Sequence, residues 1–395
     1  MKKTISIIGG GTSSFLLAAF LNTEKYEVTI YEKNKTAGRK FLVAGKGGFN
    51  LTHSETVLEL IERYTPNDFL KEALLHFTND AFINWLHTLN IPTYVGTSQR
   101  VYPKEGIKPI TVLKKILGYL NEKGIYFKYE HTFSGWDTKN NILINGKSTP
   151  SDYTVFSLGG GSWKITGSDG LWIEKFQKKG VETFPFEASN CAFKIAWDST
   201  FLSKHEGSPL KNIAISCLGK KQKGEAVITK AGLEGNAIYS LSPQIREQLK
   251  SQKKAAIYID FKPTLSLETI TSKIVHSNFK NTTQVLKKEL KLTNAQIDLL
   301  KIKLPKEHYL NALLLSESIK EFPLEVYELG LLDKAISTAG GISLTAVDSN
   351  FELQTIPNQF CIGEMLNWDA PTGGYLIQAC ASSGVYLSNY LNKID

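Results

Sequence analysis

Three consecutive glycines, Gly9-Gly10-Gly11, separate an apolar run, Ile5-Ser6-Ile7-Ile8, from a helix-like segment spanning Ser13 to Leu21. A second apolar run, Val28-Thr29-Ile30-Tyr31, follows and ends on Glu32. Strand, glycine turn, helix, strand and acid, in that order, form the pattern of a β-α-β dinucleotide site. Gly9 permits the tight turn. Gly11 lets backbone N–H groups approach a pyrophosphate. Thr12 and Ser13 open the helix, whose N-terminus presents roughly half a positive charge to that anion. Glu32, about twenty residues beyond the turn, is placed to accept hydrogen bonds from a ribose diol. The third glycine of G-x-G-x-x-G is Ser14 here, a residue small enough to keep helix and strand close. The competing readings are an ordinary β-α-β glycine turn and a secretory signal beginning at Lys2-Lys3. The glycines and the Thr12-Ser13-Ser14 run break the apolar stretch a signal needs, and no small-residue cleavage site follows Leu21.

The chain has 395 residues, enough for two or three domains and a substantial core. No apolar run reaches transmembrane length, so no membrane partner is expected. The cysteines Cys191, Cys217, Cys361 and Cys380 are scattered without a C-x-x-C, which signals neither a metal site nor a dithiol pair. A cytoplasmic setting is expected. The net charge of +8 invites a nucleic-acid reading. However, only Arg39, Arg63, Arg100 and Arg246 are arginine, and the lysines are spread along the chain rather than concentrated in a patch. No nucleic-acid partner is expected.

Helical spacing marks 66–77, 79–89 and 110–123; Ile125–Tyr129, Ile142–Ile144 and Tyr153–Leu158 are strand-like. After Pro185 short apolar runs alternate with polar turns: Cys191–Ala196, Ile213–Leu218, Ala226–Thr229, Ala237–Leu241 and Ala256–Phe261. They predict a small antiparallel sheet or barrel. Ser242-Pro243 is a predicted helix start with Ser242 as N-cap. From Leu267 to about Leu329 the pattern is helical. A strand at Phe360-Cys361-Ile362 and a helix from Leu376 to about Leu391 close the chain. The expected division is 1–186 and 335–395 as one discontinuous α/β domain, with a barrel-like insertion at 187–265 and a helical one at 266–334. A ligand between domains would follow.

The far end indicates which nucleotide. Gly363-Glu364 follows a strand, and Thr372-Gly373-Gly374-Tyr375 opens the last helix. Two glycines there let a flat ring lie against the backbone, and the helix N-terminus favours the negative charge of a reduced flavin. Taken alone, a Gly-Gly helix start needed only for packing fits equally well. Coupled to the opening motif, the segment favours flavin. Gly159-Gly160-Gly161 also follows a strand, but the following helix begins late, so it reads as part of the same domain and not as a separate nicotinamide site.

The chain resembles the BaiN-like, or aminoacetone-oxidase-like, family of FAD-dependent flavoproteins. The resemblance is carried by Gly9-Gly10-Gly11 with Glu32-Lys33, Ala37-Gly38-Arg39-Lys40, Ala44 to Thr52, Arg100-Val101-Tyr102-Pro103, Gly224 to Thr229 with Gly232 to Gly235, Ala339-Gly340-Gly341, Gly363-Glu364-Met365-Leu366 and Ala370 to Tyr375. Gly47 to His53 and Gly167-Ser168-Asp169-Gly170 resemble one subgroup; Gly48-Phe49 stands where the broader family has Arg-Cys. The resemblance implies a glutathione-reductase-like FAD-binding Rossmann domain with an inserted β-barrel and helices. It implies that Gly9, Gly11 and Glu32 hold the ADP half with Lys33 beside the adenosine. Gly38, Arg39 and Lys40 would lie near the pyrophosphate and flavin edge, and Gly45, Gly47 and Asn50 along the isoalloxazine. Gly159 and Gly160 belong to the same domain. Gly363, Glu364, Gly373, Gly374 and Tyr375 would hold the ribityl chain and pyrimidine side, and His131-Thr132 a backbone contact to adenine.

Candidates to touch substrate are the loop Lys46 to His53, Arg100 and Tyr102. Lys46 suits an anionic group or developing charge. His53 is a candidate acid or base near neutral pH, although a role beside the helix cap of Thr52 and Ser54 competes. Three function classes follow. The first is an FAD-dependent oxidoreductase acting on a small organic molecule, with NAD(P)H as a transient donor. The second is an amine oxidase releasing peroxide. The third is a non-enzymatic or RNA-associated flavoprotein.

Overall fold

The computed structural model describes residues 1–43 and 48–394. Two compact units form: Met1–Ala188 with Leu332–Asp395, and Ser189–Leu331. In the first, strand β1 (Lys3–Ile8), helix α1 (Thr12–Phe20) and strand β2 (Tyr26–Glu32) occupy the segments expected around the glycine turn. β1 is the middle strand of a five-stranded sheet. In order the strands are Gln359–Cys361, Tyr153–Phe156, β1, β2 and Tyr126–Tyr129. Every neighbouring pair is parallel, with Ile5 opposite both Tyr153 and Val28. Parallel strands covered by helices are apolar on both faces. Ile7, Ile8, Val155 and Phe156 are accordingly buried side by side in sequence, with no polar alternation.

Residues more than three hundred positions apart thus share one sheet. They also share a helix pair: the last helix, Tyr375–Lys393, packs along α1. Gly384 makes the approach possible, because a Cβ there would stand 2.5 Å from the Ser13 carbonyl oxygen and 2.8 Å from the Leu17 nitrogen. Phe15, Leu16 and Leu17 of α1 are fully buried, each worth about 1.5–3 kcal/mol of transfer free energy. Ser14, in place of the third motif glycine, is also buried, and its hydroxyl donates to the Gly9 carbonyl across the turn. The departure from the motif therefore ties the turn to the helix. Lys71–His76, Asn79–Thr88 and Pro109–Glu122 form the helices expected in this region, the first shorter than its spacing suggested. No helix of the described residues is long and apolar enough to cross a membrane.

The second unit carries a seven-stranded antiparallel sheet, ordered Phe322–Val326, Ala255–Asp260, Pro209–Cys217, Lys220–Thr229, Gly232–Glu234, Phe193–Lys194, Glu328–Leu329. Its strands and helices share one core, including Ile257, Ile259, Leu286, Leu300 and Leu315. Three local expectations fail here. Asn236–Tyr239 is a helical turn, not part of a strand, entered through Gly235 at a backbone angle only glycine adopts readily. Ser242 is not the N-cap: Leu241 holds that position, and the Ser242 hydroxyl donates backward to the Tyr239 carbonyl. Phe322–Val326 is a strand inside the stretch read as helical. Phe322, Leu324 and Val326 are buried while Pro323 and Glu325 are exposed, the period of two that a strand requires.

Candidate active site

At the opening turn, Gly9 has φ of +104° and its α-carbon faces the Ser157 backbone too closely for any side chain. Gly11 caps α1 without a side-chain hydrogen bond, and no acidic residue lies in the first turn. A Cβ built on Gly11 would meet nothing within 4 Å among the described residues. That leaves an open cradle beside the first turn of α1, and the orphan N–H donors of a helix start attract an anion. Glu32 is buried beside it. Its Oε2 accepts the Gly10 N–H at 2.9 Å, and its Oε1 accepts the Asn34 N–H at 2.8 Å and the Asn34 side-chain amide at 2.7 Å. A carboxylate offers about four acceptor positions, which leaves room for a ribose hydroxyl. The cradle, the helix start and the fixed acid fit a dinucleotide diphosphate.

The basic residues near the turn are held by the segment 162–170. Lys33 pairs with Asp169 at 2.7 Å. Arg39 donates to Asn34 Oδ1 at 3.0 Å and to the Ile165 carbonyl at 2.8 Å. Lys40 Nζ reaches both Glu364 oxygens, at 2.8 and 3.0 Å, and the Ser162 hydroxyl at 3.0 Å. Gly160 packs against Thr338 and Glu364, Gly159 accepts from the Trp172 indole at 3.0 Å, and Gly38 packs on Leu113. In the turn expected beside adenine, the Thr132 N–H is taken by Asn145 Oδ1 at 2.8 Å, and the His131 N–H by the Glu32 carbonyl at 3.0 Å. Neither backbone donor is left for an adenine. Asn145 closes this turn from thirteen residues away, a partner with no periodic signal in the sequence.

The far-end residues come to the same unit. Gly363 lies against the Ser13 side chain, so its missing Cβ serves contact with α1. Gly374 caps the last helix at φ +99°, with no side-chain cap and no acid in the first turn. A Cβ there would fall 2.5 Å from the Thr52 α-carbon. The packing reading of the Gly-Gly start thus holds for Gly374. Thr52 is fixed in turn by its hydroxyl, which donates to Gln378 at 2.6 Å. Beside Gly373 lies Arg100, in a three-stranded antiparallel sheet of Thr52–His53, Arg100–Pro103 and Thr93–Val95.

His53 is buried and stacks on Tyr375, ring centroids 5.2 Å apart at 20°. Its Nδ1 accepts the Glu55 N–H at 3.3 Å. Burial holds its pKa below the ordinary value; Glu55 opposes this, while Arg63 and Arg100 reinforce it. A ring fixed by stacking and by a backbone N–H at Nδ1, with burial favouring its neutral form, suits a positioning role. Beneath it, Glu55 is buried and receives Arg63 through two nitrogens, Nη2 at 2.8 Å and Nε at 3.2 Å. Burial and the Glu55 carboxylate push the Tyr375 hydroxyl pKa far above its ordinary range. Glu55 and Arg63 carried no motif and were missed by the sequence reading. Asn50 donates its N–H to the Gly48 carbonyl at 3.0 Å. Gly45, Lys46 and Gly47 lie outside the described residues.

The model of the HI0933-like protein Rossmann domain matches residues 3–390. The "Ribosomal RNA dihydrouridine synthase" of Haemophilus influenzae is 23% identical over 60% of this chain and 60% of its own length, less than two thirds of that relative. The "3-dehydro-bile acid delta(4,6)-reductase" of Clostridium scindens is 22% identical over 96% of this chain and 97% of its own. Among solved structures, a 3-ketosteroid-delta4-(5alpha)-dehydrogenase from Rhodococcus jostii RHA1 shares the fold, with a TM-score of 0.52 at 14% identity over 100% of this chain and 97% of that one.

Proposed function

This chain belongs to the HI0933-like Rossmann family, and from that premise we propose that it is an FAD-dependent oxidoreductase moving a hydride between flavin N5 and a small organic substrate. The substrate carries a C=C bond conjugated to a carbonyl, and NAD(P)H is the electron donor. The observation that carries the reading is the open cradle at Gly11, in the same unit as a second uncapped helix start at Gly374.

Gly9, Gly11, Thr12 and Ser13 hold the pyrophosphate, Glu32 the ribose, and Lys33 and Arg39 flank the adenosine side. Gly38, Lys40, Gly159, Gly160, Gly363 and Glu364 line the middle; Asn50, Gly373 and Tyr375 serve the ring, with Gly374 seating the last helix against Thr52. Bound there, FAD supplies two-electron chemistry at N5. The chain's own groups position the substrate and keep water out. The names of the two curated relatives support the substrate class, since each describes saturation of a ring C=C bond conjugated to a carbonyl.

Anaerobic mixing of the purified protein with NADH and NADPH tests the reading. Bleaching of the flavin by one of them is expected. Bleaching by neither, with peroxide released on adding an amine in air, moves the protein to the amine-oxidase class. A second reading puts the same reduction on a uracil ring within RNA, favoured by the name of the Haemophilus relative. The dispersed lysines and the scarcity of arginine favour the small molecule. Dihydrouridine appearing in ribosomal RNA incubated with protein and NAD(P)H would reverse that preference.

A further inference from the structure

We infer that Arg100 and Tyr102 form the substrate seat: Arg100 grips the oxygen of a conjugated carbonyl or carboxylate, and Tyr102 supports the flat apolar part attached to it. The inference rests on the flavin reading above. Arg100–Pro103 is the central strand of the small sheet, with Arg100 opposite His53 and Tyr102 opposite Tyr94. Strand alternation puts Arg100 and Tyr102 on one face, half-buried, while Val101 and Pro103 are buried on the other.

Arg100 stands beside the start of the last helix, where a Cβ on Gly373 would lie 3.4 Å from its Nε. Helix start and guanidinium are both positive, and no acid lies in the helix's first turn. Among the described residues the Arg100 guanidinium has no ion pair and no hydrogen bond. Arg39 and Arg63, in the same unit, are both engaged by protein acceptors. This chain uses arginine sparingly, four among 46 basic residues. A planar fork of donors left unengaged at a half-buried position suits a planar acceptor such as a carboxylate or carbonyl.

The Tyr102 ring is clasped by glycines: Cβ atoms on Gly96 and Gly48 would lie 3.0 and 3.5 Å from it. It stacks on Tyr94, centroids 5.6 Å apart at 25°, and Tyr94 is 49% exposed. The aromatic wall therefore opens to solvent, which suits a molecule that exchanges and not a retained cofactor. In the reduction, hydride adds to the β-carbon and the C=C π pair shifts charge onto the carbonyl oxygen. A proton from water completes the α-carbon. The two electrons derive from NAD(P)H. Arg100 stabilises the oxygen as it becomes negative.

The test is calorimetric titration of the yellow holoprotein with trans-cinnamate, a planar conjugated carboxylate, and with cinnamyl alcohol, which lacks the carbonyl. Wild type should prefer cinnamate by about tenfold or more. Arg100→Ala should lose that preference at unchanged flavin content and melting temperature, and Arg100→Lys should recover part of it. Tyr102→Ala should weaken both probes together. Cinnamate binding equally to wild type and Arg100→Ala, or not binding wild type in the millimolar range, overturns the inference. So does loss of flavin from Arg100→Ala, which would assign the residue to the cofactor. A colourless wild type is a different failure, that of the flavin reading itself.

Discussion

Two helix starts in the first unit look alike in sequence and differ in their surroundings. Each begins at a glycine, has no side-chain cap and carries no acid in its first turn. At α1 the glycine faces open space among the described residues, and the nearby charges have protein partners: Glu32 has Gly10 and Asn34 with an acceptor position to spare, Lys33 has Asp169, Lys40 has Glu364. At the last helix the glycine is closed by the Thr52 backbone, and the adjacent Arg100 has no partner among the described residues. The lesson concerns what a glycine is for. At Gly11 the absent side chain leaves room for a ligand. At Gly374 it leaves room for the protein, and ligand recognition passes to side chains on the neighbouring sheet.

Substituting the two glycines puts that contrast at risk most directly. Gly374→Ala forces a Cβ against Thr52 at a positive φ, with an expected loss of about 3 kcal/mol or more. Gly11→Ala adds a Cβ in open space and should change stability by less than about 1 kcal/mol, while FAD affinity falls as the pyrophosphate approach is blocked. Urea unfolding and flavin titration of both variants read the two effects; a tolerated Gly374→Ala would erase the distinction. Next in size is Glu55→Gln, which removes the charge from the buried partner of Arg63 and should cost about 1–3 kcal/mol in urea unfolding. No change would mean that this pair does not support the Tyr375 end. Glu32→Ala strips the Gly10 N–H of its acceptor, a loss of about 1–2 kcal/mol, and should speed FAD release in a desalting assay; retention equal to wild type would remove Glu32 from the ribose.

The smallest expected effect concerns pH. Burial lowers the His53 pKa in the folded state, so below the ordinary value of 6.5 the unfolded chain takes up the proton first. The stability contributed by the neutral ring is complete above that pH and is lost as pH falls from it toward the folded pKa. His53→Gln should therefore give a shallower decline of melting temperature in that window, with His76, lowered by its own burial, supplying the remaining slope. An unchanged slope would mean that His53 is not held neutral beneath Tyr375.

The nucleotide-binding half was legible because its signals are local. The glycine turn, the apolar runs on either side and Glu32 lie within thirty-two residues, and parallel-strand burial makes the runs continuous. At the far end the strand and the last helix were legible, while the flavin assignment rested on resemblance more than on physics, since its glycines fit packing as well as a ligand. What escaped was set by side-chain pairings that no periodicity marks: Asn145 closing Thr132 from thirteen residues away, Arg63 reaching Glu55 from eight, and the Glu55 N–H on the His53 ring. In the insertion, Phe322–Val326 showed strand alternation, but the helical spacing before it concealed the change of period.

The central claim is that the α1 start and the last-helix start belong to one FAD site. Flavin content of the purified protein, measured on denaturation before and after incubation with excess FAD, tests it most directly. Yellow protein releasing about one FAD per chain is the predicted result; protein that stays colourless and binds no FAD would contradict it.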